Sequence, residues 1–473
     1  MKSSGCWSLF TRTGLLLLAL ATGVPPGQAA EAPKVAISIL GSQLRLSWGP
    51  LEAGAASTVE TSGSLSNPDW QPLGGTSGWP LTATQWSGPL PDSGGGFYRV
   101  VVRPVPARGI LREHSKLRSY TAAEMQAVLV RYGLPPGSQL PVEAWKVQYS
   151  TLDAKGAATI ASALVVLPVG AGRALPLVAY QHGTITERES VPSRLAGEAD
   201  VGLVLGGSGY VAVLADYIGL GDSPGFHPYQ HAASEASAVL DALRAATALV
   251  AERGLGWNRQ LFLTGYSQGG HATLAAHREL ELHHADEFTI TASAPCAGAY
   301  DMSGTTLNDF LSSRVPPNPY YSAYLLKAYV ETYDVAPGFA SVLRPPYDTT
   351  LPPLLDGQHS GGTISAAMPA HPSEILRADV LEQFQSDPHH PLRLALADND
   401  LYRDWYPKVP TRFYHCGGDK DVLPANSQVA YSAFKAAGAP SVELYDPVPF
   451  ADHNGCAPFS LFGTKLWFDS LKK

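Results

Sequence analysis

The larger, later part of the chain alternates short apolar runs with helical patterns. Eight apolar runs have the length of buried strands: residues 144–149, 159–167, 175–180, 210–214, 260–263, 289–294, 412–415 and 442–445. Helical periodicity lies between them at residues 232–253, 271–284, 426–436 and 459–471. An opening pair of strands followed by strand-helix alternation predicts an α/β fold whose mostly parallel eight-stranded sheet has helices on both faces.

The earlier part of the chain has a different pattern. Alternating runs at residues 35–40, 44–48, 58–61 and 97–102 are separated by Gly, Ser, Pro and Asn clusters, which is typical of a small antiparallel sandwich. We expect an all-β, sandwich-like module over residues 30–105, followed by the α/β domain over residues 106–473. A spacer is the simpler interpretation of the module, and binding to a surface or a polysaccharide is the alternative.

Residues 1–29 have the pattern of a secretory signal peptide. Lys2 and Arg12 precede an apolar segment at residues 15–24 that is too short to span a bilayer, and small residues permit cleavage after Ala29. No later segment approaches the length of a membrane span. The sequence therefore predicts a secreted or periplasmic protein without a transmembrane anchor.

Composition narrows the possible partners. The chain is 45% hydrophobic and 16% charged, which suffices for a sizeable core, and its net charge of -8 comes without a basic run. Nucleic acid is therefore excluded as a partner, because nothing would neutralise its phosphates. The adjacent histidine pairs His283-His284 and His389-His390 lack the spacing of metal ligands, so no metal and no cofactor are expected.

Residues 261–276 read as a buried strand, a tight turn and a helix, with Ser267 at the apex of the turn. This is the pattern of a nucleophile elbow, in which a strained turn exposes the serine hydroxyl above a sheet. Gly265 and Gly269 flank the serine, and a side chain at either position is expected to collide with the neighbouring strand or helix. The backbone amide of Gln268 would point at a developing oxyanion.

A second oxyanion donor is expected in the loop that follows the strand at residues 175–180. The loop reads Gln-His-Gly-Thr at residues 181–184, and its glycine lets a following amide face the serine. Thr184 is the first candidate and Gly183 the second. His182 is interpreted as a histidine that bonds to backbone and holds the loop.

Two further strand ends supply a candidate acid and base. Asp419 follows the strand at residues 412–415 and is favoured by spacing as the acid, with Asp421 as the alternative. His453 follows the last strand and is the only histidine C-terminal to both Ser267 and Asp419. A Ser, Asp, His order in the chain specifies nucleophilic acyl transfer to water through an acyl-enzyme.

These motifs resemble those of the α/β-hydrolases, and within them the exported lipases and esterases of the secretory lipase type. The resemblance covers residues 108–473 and includes the glycine-rich loop at residues 216–225, which lacks the Gly-Lys-Ser/Thr ending of a nucleotide-binding loop. It implies an α/β-hydrolase fold and adds weight to Asp419 as the acid. The long insertion without strand signals at residues 299–410 is where this fold carries a helical cap, with helices expected at residues 320–333, 371–384 and 391–405.

Three cysteines would remain after processing. Cys416 and Cys456 lie beside the candidate acid and base, so we predict a bridge between them with Cys296 free, while a bridge from Cys296 to either remains the alternative.

The favoured function is a secreted serine carboxylic ester hydrolase acting on small or lipid esters. A serine peptidase of the prolyl-peptidase type and a non-catalytic binding protein of hydrolase fold are the alternatives. The first interpretation predicts insensitivity to chelators and loss of activity in mild acid as His453 takes up a proton.

Overall fold

The computed structural model describes residues 8–12, 15–22, 35–40, 43–49, 55–66, 70–72, 85–89, 97–104, 107–131, 137, 139–172 and 174–473. The chain forms two compact units, Met1–Pro106 and Ala107–Lys473. No helix among these described residues is long and apolar enough to cross a membrane.

The first unit consists of short strands in two sheets. The strands are β1 (Ser8–Arg12), β2 (Leu15–Thr22), β3 (Val35–Leu40), β4 (Gln43–Trp48), β5 (Ala55–Ser62), β6 (Gln71–Pro72), β7 (Gln85–Pro89) and β8 (Phe97–Pro104). One sheet has the order β1-β2-β8-β5-β6 and the other β3-β4-β7. Alternate residues such as Leu44 and Leu46 are fully buried, as expected for half-buried strands.

The segment predicted as the apolar core of a signal peptide forms β2, which pairs in parallel with β8. The other pairs in the two sheets are antiparallel. The predicted cleavage position after Ala29 lies outside the described residues.

The second unit contains a large mixed sheet. Its strands are β9 (Leu111–Tyr120), β10 (Val142–Leu152), β11 (Ala158–Pro168), β12 (Ala174–Gln181), β13 (Val211–Ala215), β14 (Gly256–Tyr266), β15 (Ile290–Cys296), β16 (Thr411–Tyr414) and β17 (Val442–Tyr445). The order is β17-β16-β15-β14-β12-β13-β11-β10-β9. From β13 to β17 the neighbouring strands run parallel, and β9 to β11 pair antiparallel. This confirms the predicted mostly parallel sheet.

Helices cover both faces of this sheet and fill the insertion. They are α1 (Ala122–Arg131), α2 (Ala199–Gly207), α3 (Ala232–Glu252), α4 (Gln268–His283), α5 (Leu307–Phe310), α6 (Tyr320–Thr332), α7 (Tyr347–Thr350), α8 (Gly361–Ala366), α9 (Ala378–Ser386), α10 (Pro391–Asp398), α11 (Ala425–Ala436) and α12 (His453–Leu471). Helix α1 begins with a capping box, since Glu124 N donates to Thr121 Oγ1 and Thr121 N donates to Glu124 Oε2.

The central strand β12 is apolar at successive positions because both of its faces are buried. Leu177 and Ala179 join one buried cluster, with α3 and α4, whereas Val178 and Tyr180 join another, with α2 and α12. Successive side chains point to opposite faces, so a strand covered on both sides needs apolar residues at every position.

Outside the insertion, two elements of the second unit, β9 and α2, escaped the sequence prediction. The ninth strand, β9, is an edge strand and is largely exposed on both faces, so its polar sequence carries no alternation. The helix α2 contains three glycines. A Cβ at Gly202 would lie 2.5 Å from Leu214 Cδ1, and one at Gly206 would lie 2.5 Å from Val166 Cγ1. The glycines therefore let α2 pack closely on the sheet, at the expense of a recognisable helical pattern.

The insertion at residues 299–410 is helical and packs around one apolar cluster. Helix α6 occupies almost the predicted range, but the predicted helix at residues 371–384 is a 3-10 turn at Pro372–Ile375 followed by α9. The predicted helix at residues 391–405 ends at Asp398, because the Asn399 side chain donates to Ala395 O and accepts from Ala232 N.

Candidate active site

Ser267 lies at a sharp turn between β14 and α4. Its backbone has φ 61° and ψ -122°, a strained combination for a residue with a side chain, and only 8% of its surface is exposed. The surrounding structure imposes this conformation, because the strand ends at Tyr266 and the helix begins at Gln268. This is the geometry of the predicted elbow.

The two flanking glycines are required by close approach of backbones. A Cβ at Gly269 would lie 1.9 Å from the carbonyl oxygen of Gln181 on β12. A Cβ at Gly265 would lie 2.4 Å from that oxygen and 2.4 Å from the carbonyl oxygen of Gly269. The predicted steric role of these glycines is confirmed.

Asp419 and His453 come together from separate strand ends. Asp419 follows β16, and His453 is the first residue of α12, after β17. His453 Nδ1 donates to Asp419 Oδ2 across 2.6 Å, and both side chains are buried. The bond fixes the imidazole tautomer, so Nε2 is the nitrogen without a proton in the neutral ring.

The Asp419 carboxyl is fully supplied with donors. Oδ1 accepts from the amides of Asp421 and Val422, and His415 Nε2 lies 3.2 Å from Oδ2. Burial alone would raise the pKa of this carboxyl, but hydrogen bonds from His415 and His453 outweigh burial and hold the pKa well below its ordinary value. Asp419 is therefore ionised wherever the protein is folded near neutral pH.

Asp421, the alternative acid, points elsewhere. Its Oδ1 accepts from the side-chain amide of Asn318 at 2.9 Å, and it lines the cavity described below. The structure thus brings Asp419 to His453 and leaves Asp421 facing the insertion.

Two of the three candidate oxyanion amides are available. Gln268 is the first residue of α4, so its N–H has no partner within the helix. In the part of the chain that the structure describes, the amide of Thr184 also donates to no acceptor. The amide of Gly183, by contrast, donates to Glu198 Oε1 at 3.1 Å.

His182 holds the loop through contacts with backbone carbonyl groups. His182 is fully buried, with Nδ1 2.7 Å from Gly183 O and Nε2 3.3 Å from Asp216 O. Burial lowers the pKa of His182 to about 4, so the ring is neutral near pH 7. This confirms the interpretation of His182 as a residue that bonds to backbone.

A disulfide joins the loop that carries Asp419 to the first turn of α12, which carries His453. Cys416 and Cys456 are bonded, with Cα atoms 5.9 Å apart, and Cys296 is a buried free thiol. Burial raises the pKa of the Cys296 thiol to about 12, so it is protonated and unreactive at neutral pH.

A largely apolar cavity of about 120 Å³ extends from Ser267 into the insertion. Helices α6, α9 and α10 supply much of its wall. The apolar lining includes Leu307, Leu325, Leu326, Phe384, Leu392 and Leu396. Its carboxyl groups are already engaged, since Arg314 Nε donates to Asp309 Oδ1 and Asn318 donates to Asp421.

Sequence reasoning missed two carboxylic acids and a histidine around this site. His415 touches Asp419, and its position four residues earlier was an available signal. Glu198 accepts from the Gly183 amide and from the Tyr180 hydroxyl. Glu235, in the first turn of α3, bonds to the Gln268 side chain. Neither glutamate carries a local signal, because each meets the site through the tertiary fold.

Known proteins resemble this structure. A profile described as secretory lipase matches residues 200–307. The ligand-bound rice cell wall degrading esterase LipA from Xanthomonas oryzae is 31% identical, with a TM-score of 0.68, covering 77% of this chain and 96% of that chain. A Legionella pneumophila protein described only provisionally as a hydrolase is 27% identical, with a TM-score of 0.70 and coverage of 76% and 98%. Candida antarctica lipase A in its closed state, 16% identical with a TM-score of 0.56 and coverage of 77% and 82%, shares the fold.

No curated protein sequence shows significant similarity to the chain. The mixed sheet with helices on both faces, together with these neighbours, defines an α/β-hydrolase fold. The chain belongs to the lipases and esterases of this superfamily, related to the secretory lipase family, and is a carboxylic ester hydrolase.

Proposed function

We propose that the protein cleaves acyl esters through an acyl-enzyme on Ser267, with His453 as general base and Asp419 as the residue that orients it. The observation that carries the proposal is the 2.6 Å bond from His453 Nδ1 to Asp419 Oδ2, in the same domain as a serine on a strained elbow. Serine needs such a base because its hydroxyl is a weak nucleophile at neutral pH.

The roles follow from the proton positions. With Nδ1–H committed to Asp419, the Nε2 of His453 takes the serine proton as Ser267 attacks the ester carbonyl. The ionised Asp419 stabilises the imidazolium that forms. The same nitrogen then protonates the leaving alcohol, and water repeats the sequence to release the acid.

The oxyanion of each tetrahedral intermediate is proposed to bind the amides of Gln268 and Thr184. Both amides are available, whereas the Gly183 amide is engaged by Glu198. One such donor typically contributes about 3 kcal/mol to lowering the barrier.

The cavity favours an apolar acyl group over a peptide. Its exposed lining is predominantly apolar, Asp309 is paired with Arg314, and Asp421 accepts from the Asn318 amide. A peptidase that binds a free amine terminus needs an available carboxylate, and one of the two in this cavity, Asp309, is neutralised by Arg314.

Substitution of the nucleophile tests the proposal. We expect Ser267→Ala to lower kcat on p-nitrophenyl esters by at least about 10⁴-fold and to abolish labelling by a fluorophosphonate, because no other residue can form the acyl-enzyme. Ser386→Ala, at an exposed position on α9, is the matched control and should behave as wild type.

Two results would contradict the proposal. Full activity of Ser267→Ala would remove the nucleophile from the mechanism. Turnover of aminoacyl anilides without turnover of esters would favour the peptidase.

We further propose that the protein is exported and that processing after Ala29 removes β1 and β2. The mature first unit would then be built from β3 to β8. N-terminal sequencing of protein recovered outside the cytoplasm should begin at Ala30, and an intact Met1 in the exported protein would overturn this proposal.

A further inference from the structure

A buried carboxyl group lies behind the nucleophile elbow. Glu235, in the first turn of α3, is 1% exposed. Its Oε1 accepts from Gln268 Nε2 at 2.8 Å, and its Oε2 accepts from His271 Nδ1 at 2.7 Å. Such a group is costly to bury and is tolerated only where donors meet it, as two do here.

The Gln268 side chain is held from two sides. Its Nε2 lies 2.8 Å from Glu235 Oε1 and 2.7 Å from His227 Nε2. His227 Nδ1 donates to Ile218 O at 2.7 Å, and burial lowers the pKa of His227 to about 3, so the ring is neutral and Nε2 is an acceptor. Both hydrogens of the Gln268 amide group therefore have acceptors.

The Gln268 side chain anchors the peptide group whose N–H is the proposed oxyanion donor. The N–H of Gln268 belongs to the peptide between Ser267 and Gln268, which directly follows the strained backbone of Ser267. A strained backbone relaxes by rotating adjacent peptides unless its neighbours hold them. The bonds of the Gln268 side chain oppose such rotation.

We propose that Glu235 is a positioning residue for the oxyanion hole. Acting through the Gln268 side chain, Glu235 keeps the Gln268 backbone N–H aimed at the substrate oxygen. The inference rests on the proposed function, because it assumes that Gln268 N–H is an oxyanion donor. The strength of this donor on α4 would then depend on Glu235, which lies on a different helix, α3.

Kinetic variants of Glu235 provide the test. We expect Glu235→Ala to lower kcat by about 10- to 100-fold with KM changed by less than about threefold, since a displaced donor weakens the transition state more than the ground state. The affinity for a trifluoromethyl ketone, which forms an oxyanion adduct with serine, should fall by a similar factor. Glu235→Gln keeps an acceptor for Gln268 and should lose less than about fivefold.

A double-mutant cycle separates positioning from simple loss of stability. Gln268→Met keeps the backbone amide but removes the side-chain donors, so it should reproduce the kcat loss of Glu235→Ala. Adding Glu235→Ala to Gln268→Met should then cost no more than about twofold further, because the link is already broken. Where Glu235→Ala does not fold, Gln268→Met alone carries the test through kcat and the ketone affinity.

The matched control is Asp241→Asn. Asp241 is a fully buried carboxyl on the same helix that pairs with Arg108 and Arg244, so its loss should reduce stability without changing kcat or ketone affinity.

Three outcomes would overturn the inference: Glu235→Ala or Gln268→Met with wild-type kcat, losses that multiply in the double variant, or a kcat loss without weaker ketone binding. Each is distinct from failure of the proposed function, which would appear as wild-type protein that the fluorophosphonate does not label.

Discussion

The nucleophile elbow and the 299–410 insertion are built by different physical means. At the elbow, backbones approach so closely that a Cβ on Gly269 would lie 1.9 Å from a carbonyl oxygen of the next strand. In the insertion, short helices pack around an apolar cluster of buried side chains that includes Leu326, Tyr329 and Leu396. The first arrangement accepts one residue type, and the second accepts many of similar volume.

This difference distinguishes the residues proposed to carry out the reaction from those proposed to select the substrate. The residues proposed to react are placed by backbone geometry and by directed hydrogen bonds, such as the bond between Asp419 and His453. Residues that line the cavity act through volume and apolar surface. Substitutions near the elbow should therefore abolish activity, whereas substitutions in the insertion should redirect it.

The largest effect is expected at Asp419, the proposed acid. Asp419→Asn should lower kcat by about 10⁴-fold, because an amide can donate to His453 Nδ1 and thereby stabilise the wrong tautomer. Asp421→Asn, two residues away and facing the insertion, should change kcat by less than about threefold. Steady-state kinetics on one ester compares them. Equal losses in the two variants would show that the acid has been misassigned.

A second strong effect is expected on folding. Gly269→Ala should lower the free energy of unfolding by at least about 3 kcal/mol, since the clash is with backbone that cannot move aside. Gly172→Ala, where a Cβ would meet nothing within 4 Å, should stay within about 0.5 kcal/mol of wild type. Denaturant unfolding measures both. A tolerated alanine at position 269 would mean that the elbow is less constrained than its geometry indicates.

The contrast between the elbow and the insertion also explains which elements could be predicted from the sequence. The elbow has a local pattern, because strand, glycine spacing and helix are adjacent in the chain, and Asp419 and His453 follow recognisable strands. The edge strand β9 was missed because both of its faces are largely exposed and its residues are polar. The bounds of α9 and α10 were wrong because the extended residues Leu376 and Arg377 interrupt the helix before α9, and because the side-chain bonds of Asn399 end α10 where the apolar pattern continues.

Glu198 and Glu235 were beyond any local pattern. Glu198 lies fifteen residues after Gly183 along the chain and meets its amide only when the loop folds back. Glu235 sits in a helical stretch, where glutamate usually faces solvent. Their contacts are properties of the assembled fold, and a single sequence contains no spacing from which to infer them.

An intermediate effect is expected at Glu198, which accepts a hydrogen bond from the loop that carries the proposed oxyanion donor Thr184. Glu198→Ala should lower kcat by about 10-fold, because the Gly183 amide loses its acceptor and the Thr184 amide is no longer held in place. Glu198→Gln keeps an acceptor oxygen and should lose less than about threefold. Kinetics of both variants on one ester give the comparison, and equal losses would argue for a role of the charge itself.

The pH dependence of stability supplies an independent control on Glu198. Burial raises the pKa of Glu198 above its value in the unfolded chain. A group with a raised folded-state pKa contributes stability below the unfolded pKa and loses it as pH rises through the folded pKa. Glu198→Gln should therefore gain stability relative to wild type as pH rises through that range, measured by denaturant unfolding. A constant difference across pH would indicate that Glu198 is not desolvated.

The smallest effect, and the one that tests the insertion, is a change of selectivity. Leu326→Trp enlarges a side chain in the cavity wall, so kcat/KM for a long-chain p-nitrophenyl ester should fall by about 10-fold while that for the acetate stays within about twofold. Leu394→Trp, at a 53% exposed position on α10, is the control and should leave the chain-length profile unchanged. An equal fall in kcat/KM for short and long esters would show that Leu326 supports the catalytic groups. The insertion would then not act on selectivity alone.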